Sequence, residues 1–343
     1  MPHRTFFAFM APTLLAMILF IALPIASIVV QSLYVEHPQV LVTTESCQPF
    51  AGCTTTTTVD ASATAQLREE QPLGRFNGLG TYLDRGHLAV REVGAILRGG
   101  GSFRDKLSRI YDLPLYRALS FTVTFTALVT PLAMMLGFVI ALAVNTVPRL
   151  LKGPVIFFSL IPMSITPLVG ALILFWMVSS DGILGVAIQS IANDPGLTVQ
   201  GSAGLTWVML IVYGVWTNAP FSFIVFYAGL QAVPQDTVEA AMIDGATRWE
   251  RVRHVVVPSL RPLILFVLLV QLMDNFRVFE PIISFNASAN ATSLAFLIYS
   301  SLNTQTTQLF GSAAASSVIT IGFIIVLVVP VLIRTAREIG GRA

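Results

Sequence analysis

Two groups of polar side chains interrupt otherwise apolar stretches of this sequence, and they are its strongest candidates for chemistry. In the first, Trp216, Thr217, Asn218 and Phe221 surround Pro220, a residue at which a helix loosens and exposes backbone carbonyls. In the second, Gln271, Asp274, Asn275, Arg277 and Glu280 follow one another within a few helical turns. Polar groups inside apolar spans are costly and are functional candidates by default. Aromatic rings beside amides and carboxylates suit a polyhydroxylated ligand, because rings cover its C–H faces while polar groups read its hydroxyls. A structural reading competes: Asp274, Arg277 and Glu280 are spaced three apart on one helical face, where they would neutralise one another. Pairing is the favoured role for Arg277; the alternative is that it faces a pathway and accepts an anionic group. Covalent chemistry finds no support. There is no His-Glu-x-x-His, no Ser and His paired within a span, no metal-ligand cluster and no Gly-x-x-x-x-Gly-Lys-Ser/Thr phosphate cradle.

A third polar stretch, Gln231 to Arg261, lies between the two groups. From Glu239 to Pro258 it reads as two short helices joined by a turn: Asp236 is placed to cap the first, Gly245 frees the backbone at the turn, and Pro258 and Pro262 set where the next helix starts. Its small face, Ala240, Ala241, Gly245 and Ala246, permits close approach of another surface, while Glu239 and the arginines from Arg248 to Arg253 offer charged contacts. A bland alternative is an amphipathic connector resting on lipid. His254, within this stretch, is expected to be a solvated surface residue.

The elements that carry these groups are membrane helices. Over 343 residues the chain is 55% hydrophobic and 11% charged, with a mean hydropathy of +0.76; this is too little polar surface for a water-soluble fold. Apolar runs long enough to cross a bilayer recur near Phe6–Leu33, Leu119–Val147, Gly153–Val178, Leu205–Leu230, Pro262–Phe285 and Gly311–Ile333. An all-α membrane protein of about six spans is therefore expected. The first run exceeds a cleavable signal core and is read as an uncleaved span. Arg149 and Lys152, the arginines from Arg248 to Arg261, and Arg334, Arg337 and Arg342 fall on one side, whereas the loops Asp181–Asn193 and Asn286–Leu309 carry no Lys or Arg; the basic side is expected to be cytoplasmic, with both termini on it. A net charge of +2 without an aromatic-studded basic patch sets nucleic acid aside. The organisation expected is a first span at 1–34, an external insert at 35–117, a five-span core at 118–335 containing the loop 232–262, and a tail at 336–343. The insert holds a threonine run, Thr54–Thr58, a flexible Gly99–Gly101 and an amphipathic stretch at Tyr82–Leu97. It reads as a partly ordered insertion, or as a small cap that touches a soluble partner.

The spacing of the polar stretch carries a resemblance. Glu239, Ala240 and Ala241, then Gly245 six residues after the Glu, then Val255, Val257 and Pro258 resemble the coupling motif of bacterial ABC importer permeases. The resemblance runs from about Leu119 to the C-terminus and is closest to the carbohydrate type, as in maltose permeases; Phe276-Arg-Val-Phe-Glu280 and Phe310-Gly-Ser-Ala-Ala-Ala-Ser-Ser317 are typical of that group. It implies a type I importer permease fold in which the hairpin (Glu239, Ala240, Ala241, Asp244, Gly245, Pro258) sits in a cleft of a separate cytoplasmic ATPase. It implies a substrate site at Thr217, Asn218, Phe221, Gln271, Asp274 and Asn275, beside Trp216 and Arg277. The implied partners are a second permease, two ATPase subunits holding ATP and Mg, and an external solute-binding protein, with a carbohydrate or glycoside as cargo crossing the inner membrane. An ion-coupled secondary transporter is the alternative, although no internal repeat supports it. Pro162 and Pro167 read as gating kinks. In an oxidising periplasm Cys47 and Cys53, the only cysteines, are expected to form a disulfide in the insert.

Overall fold

The computed structural model describes residues 2–37, 40–48, 52–303 and 309–340, without the side chains at 2–5, 7–8, 44–48, 52–56, 61, 68 and 338–340. By backbone contacts it divides into two compact units, one formed by Met1–Leu115 with Leu297–Ile321, the other by Tyr116–Phe296 with Gly322–Ala343.

The first unit begins with α1 (Pro2–Met17) and α2 (Leu23–Gln31), joined through a π-helical turn at Ile18–Ala22. Leu23 N–H reaches back five residues to Ile18 O, and Pro24 explains why. It cannot donate, and its ring would strike the carbonyl four residues earlier, so a widened turn relieves both defects. The insert follows, with strands and helices among its described residues. Strands β1 (Tyr34–Val35) and β4 (Arg75–Phe76) pair antiparallel, as do β2 (Leu41–Gln48) and β3 (Gly52–Val59). Helix α3 (Ala61–Glu70) is capped by Asp60, whose carboxylate accepts from Ser62 and Ala63 N–H. Then come α4 (Gly80–Leu83), α5 (Val90–Arg98) and α6 (Phe103–Tyr111). The buried imidazole of His87 bonds Ser312 O at 2.9 Å, and Glu36 accepts from Gly311 N–H.

The second unit is built on α7 (Pro114–Thr146), α8 (Arg149–Ser164), α9 (Pro167–Val178), α10 (Ile183–Ala192) and α11 (Ala203–Gln231). After them come the short helices α12 (Gln235–Ile243), α13 (Arg248–Arg251) and α14 (Val257–Ser259), then α15 (Arg261–Phe276) and α16 (Glu280–Ser284); α17 (Leu294–Leu302) and α18 (Phe310–Gly340) are divided between the units, their stretch 297–321 belonging to the first. Among the described residues four helices are long and apolar enough to span a membrane, and two bent pairs raise the number to six.

One bent pair and one early helix end correct the straight spans expected from hydropathy. The third run breaks by 95° between α8 and α9. Thr166 precedes Pro167 and is extended, as sterics before proline require, so Pro167 starts a new helix instead of kinking an old one. The fifth run starts close to where it was expected, after a 72° bend that separates it from the hairpin, but it ends at Phe276, so Glu280 belongs to α16 and does not share a helical face with Asp274.

The core lies between α7, α11 and α15. Phe121, Phe125, Val129, Leu210, Ile282 and Phe285 form one buried cluster, and Ala141, Val144, Phe223, Phe226 and Val267 another. At Gly137 a Cβ would come within 2.6 Å of Ser222 Cβ and 2.8 Å of Ala219 O, so α7 and α11 approach this closely only because the residue is glycine. Asn290 closes the loop after α16: its amide donates to Gln200 O at 2.8 Å, and its carbonyl accepts from Trp207 Nε1 at 3.0 Å.

Candidate functional site

The hairpin after α11 is built from its sequence in a specific way. Helix α12 ends on a double backbone closure in which Ala246 N–H bonds Ala241 O at 3.0 Å and Gly245 N–H bonds Met242 O at 3.1 Å. That is a Schellman motif, and it requires a left-handed residue at the position Gly245 occupies, with φ +79°. The six-residue spacing from Glu239 to Gly245 is thus the distance from inside the helix to its left-handed end. Asp236 does not cap α12 as the sequence suggested: Pro234 holds that position, and Asp236 sits in the first turn, where its charge complements the helix dipole.

A cap the sequence reading overlooked starts the second arm. Thr247 N–H donates to Glu250 Oε2 at 2.7 Å, while Glu250 N–H donates to Thr247 Oγ1, a reciprocal capping box whose Thr-x-x-Glu signature is plain in the sequence. The Thr247 hydroxyl, and then its backbone N–H, hold the Glu250 carboxyl below the usual range. A second π-helical turn, Val252–Val256, precedes Pro258 at the same offset as the turn before Pro24, for the same reason.

Most of this hairpin faces outward. Ile243 is 86% exposed and Trp249 70%. Glu239, Ala240, Asp244 and Gly245 are exposed, Ala241 is half-buried, and Pro258 is exposed on the second arm. Glu239 also lines, with Arg248 and Arg251, a cleft of about 670 Å³ between the hairpin and the ends of α7 and α11.

A second cleft, of about 560 Å³, opens among α8, α9, α11 and α15, within the size range of small-molecule sites. The structure brings Thr217, Asn218, Asp274, Asn275 and Arg277 into its lining and adds Tyr213, Glu280 and Phe125. It does not bring the rest. Trp216 lines a small apolar pocket with Ile165 and Met177, Phe221 packs 6.4 Å from Phe266, and Gln271 is 1% exposed behind the wall.

Three amides knit that wall together. Asn218 Nδ2 donates to Asn275 Oδ1 at 3.2 Å and to Gly214 O at 2.8 Å. Asn275 Nδ2 donates to Thr130 Oγ1 at 3.1 Å and Gln271 Oε1 at 3.2 Å, and Gln271 Nε2 donates to Asn218 O and Ser222 Oγ. Every amide hydrogen of the three is thereby used inside the protein, so the network braces α7, α11 and α15 and offers a ligand mainly oxygen acceptors. Arg277 Nη2 donates to Asp274 Oδ1 at 2.7 Å across an exposed pair. Tyr213, which periodicity alone cannot place, donates through its hydroxyl to Pro167 O at 2.7 Å and pins the start of α9 beside the cleft. Among the described residues no cluster has the donors to hold a metal. Cys47 and Cys53 are backbone partners in the β2–β3 register, but their side chains lie outside the described residues.

Residues 110–338 match the family model described as binding-protein-dependent transport system inner membrane component. The trehalose transport system permease protein SugA of Mycobacterium tuberculosis is 28% identical over 221 residues, covering 64% of this chain and 69% of that protein. The trehalose/maltose transport system permease protein MalF of Thermococcus litoralis is 30% identical over 211 residues, 60% of this chain and 69% of its own length. The sn-glycerol-3-phosphate transport system permease protein UgpA of Brucella suis is 31% identical over 219 residues, 60% and 70% respectively. Among solved structures, a bacterial ABC transporter involved in the import of the acidic polysaccharide alginate superposes with a TM-score of 0.60 at 21% identity, over 80% of this chain and 95% of the other, a likeness of fold.

Proposed function

The chain belongs to the family of binding-protein-dependent transport system inner membrane components, and from that premise we propose that it passes a carbohydrate or glycoside through the membrane on energy supplied by other subunits. The chain is a multi-pass permease, not an enzyme, and family membership displaces the ion-coupled carrier weighed from the sequence. The exposed hairpin is the observation that carries the coupling role: Ile243 and Trp249 stand out beside Gly245, a tip shaped for a socket. Two ATPase subunits, binding ATP and Mg themselves, take the hairpin from the cytoplasmic side; a second permease completes the pathway, and an external solute-binding protein delivers the cargo. Both termini lie in the cytoplasm and the insert lies outside, in keeping with the basic residues on the hairpin and on the α7–α8 turn.

The cleft refines the cargo. It carries two carboxylates, Asp274 and Glu280, against one guanidinium that Asp274 already engages. A phosphate or uronate entering it would meet excess negative charge, whereas a neutral sugar meets hydroxyl and carbonyl groups it can bond. We therefore assign an uncharged carbohydrate, in line with the trehalose and maltose named for two of the relatives and unlike the glycerol phosphate named for the third. Competition in reconstituted uptake tests this. Trehalose or maltose should displace the cargo and sn-glycerol 3-phosphate should not; the reverse order would overturn the assignment. In the insert, Cys47 and Cys53 form a disulfide across β2 and β3, supported by their direct backbone pairing. Alkylation before and after reduction should label neither cysteine and then both.

A further inference from the structure

Helices α5 and α6 form a hairpin that the transport reading leaves without a role. Helix α6 starts on a Ser102–Asp105 capping box, and Lys106 Nζ ties it to the end of α5 through Leu97 O at 2.9 Å. Otherwise it has almost no packed face: of Phe103–Tyr111 only Lys106 and Ile110 are half-buried, and the remainder are exposed. Its exposed apolar residues are in register. Phe103, Leu107 and Tyr111 recur every four residues with exposures of 81%, 56% and 44%, one stripe along one face. Val90 and Leu97 of α5 add 49% and 57% exposed surface of the same kind. A nine-residue helix without a packed face is marginal in water, so something outside the chain must cover this stripe.

The surrounding charge and the chain path identify what does. The two helices carry Arg91, Arg98, Arg104, Lys106 and Arg109 against Glu92 and Asp105. On the wheel of α6, Arg104 and Lys106 flank the apolar stripe on either side while Asp105 and Arg109 lie opposite it, the arrangement of a helix lying in a bilayer interface. Helix α7 begins at Pro114, and its uncharged apolar run begins at Ala118, directly after Arg117. Four residues of helix rise only about 6 Å, and only Asp112 and Leu113 separate α6 from α7, so the end of α6 lies within a short stretch of chain from the apolar run, a reach that suits the depth of lipid headgroups. We propose that the α5–α6 hairpin is an interfacial anchor whose Phe103–Leu107–Tyr111 stripe is buried in anionic phospholipid where α7 enters the membrane.

The test uses the assembled transporter in nanodiscs of phosphatidylglycerol and phosphatidylethanolamine, or of phosphatidylcholine alone. In a Cys47→Ser/Cys53→Ser background, a nitroxide at Leu107→Cys should collide with oxygen and be shielded from a water-soluble nickel chelate, with the opposite at Arg109→Cys. Amide exchange across residues 103–111 of the unsubstituted protein should be at least tenfold slower in the anionic discs, and faster again in Phe103→Glu/Leu107→Glu but not in Phe103→Leu. Equal nickel access at both labels, or exchange indifferent to lipid charge, would overturn the proposal. So would a stripe shielded only when a soluble solute-binding protein is added, since that assigns it to a protein partner.

Discussion

At the scale of single residues, the cleft wall separates groups that hold the helices from groups that can meet a ligand. Asn275 is 2% exposed and joins Asn218, Gln271 and Thr130. Asn275→Leu would strand those partners, at about 1–3 kcal/mol for each buried group left unsatisfied. The expected outcome is a clear drop in thermal stability of the solubilised protein together with lower uptake, but no change in which sugars compete. Asp274→Asn is the contrasting case. The Asp274–Arg277 pair is exposed, with side-chain exposures of 45% and 74%, and such pairs contribute about 0–1 kcal/mol, so stability should barely move. Releasing Arg277 and removing one carboxylate should instead let sn-glycerol 3-phosphate compete measurably. The sequence put both residues among the candidates, because any polar side chain in an apolar run stands out. It could not tell them apart, because α11 and α15 lack a polar face whose position would reveal which way each side chain points. Trp216 and Phe221 show the same limit: each is within four residues of Asn218, yet the helical turn carries both away from the cleft.

At the scale of elements, the hairpin is where local rules are strictest. A Cβ at Gly245 would meet no other atom of the chain within 4 Å, so only its φ of +79° resists substitution. Left-handed backbone costs a β-carbon-bearing residue about 1–2 kcal/mol, with Asn the most tolerant. Gly245→Asn should therefore keep the hairpin folded, while Gly245→Trp should insert normally yet leave ATP hydrolysis running without transport, because the added bulk can only collide with a partner. Parallel ATPase and uptake assays distinguish the two. The second arm has its own signature. The Glu250 carboxyl sits below the ordinary range, so its capping contribution is complete at neutral pH, above the unfolded value, and is lost as pH falls through the lowered folded value. Protection of the α13 amides should fall in that acidic window, and Thr247→Ala should abolish the dependence. Pro262 stands in the first turn of α15, where the sequence put a helix start, but the effect of other prolines was not visible: Pro167 begins a helix after a 95° break, and Pro24 and Pro258 each follow a π-helical turn. Hydropathy averages over such breaks, since the residues on both sides are equally apolar.

For the molecule as a whole, six apolar runs sufficed to anticipate a multi-pass membrane protein, and the resemblance carried by the motif spacing anticipated its family. The insert was less legible. Strands β1 and β4 are two residues each, and their pairing depends on contacts between residues distant in sequence, such as Tyr34 with Phe76. What unites the parts is sequence adjacency: α11 and α15 flank the hairpin on either side and supply the braced wall through Asn218 and Asn275. The most direct test is uptake into proteoliposomes containing this chain, its partner permease and the ATPase subunits. Accumulation of labelled trehalose or maltose should require internal ATP and external solute-binding protein together, and should vanish with Gly245→Trp while ATP hydrolysis persists. Accumulation driven by an ion gradient without ATP, or undiminished in the Gly245→Trp transporter, would contradict the account.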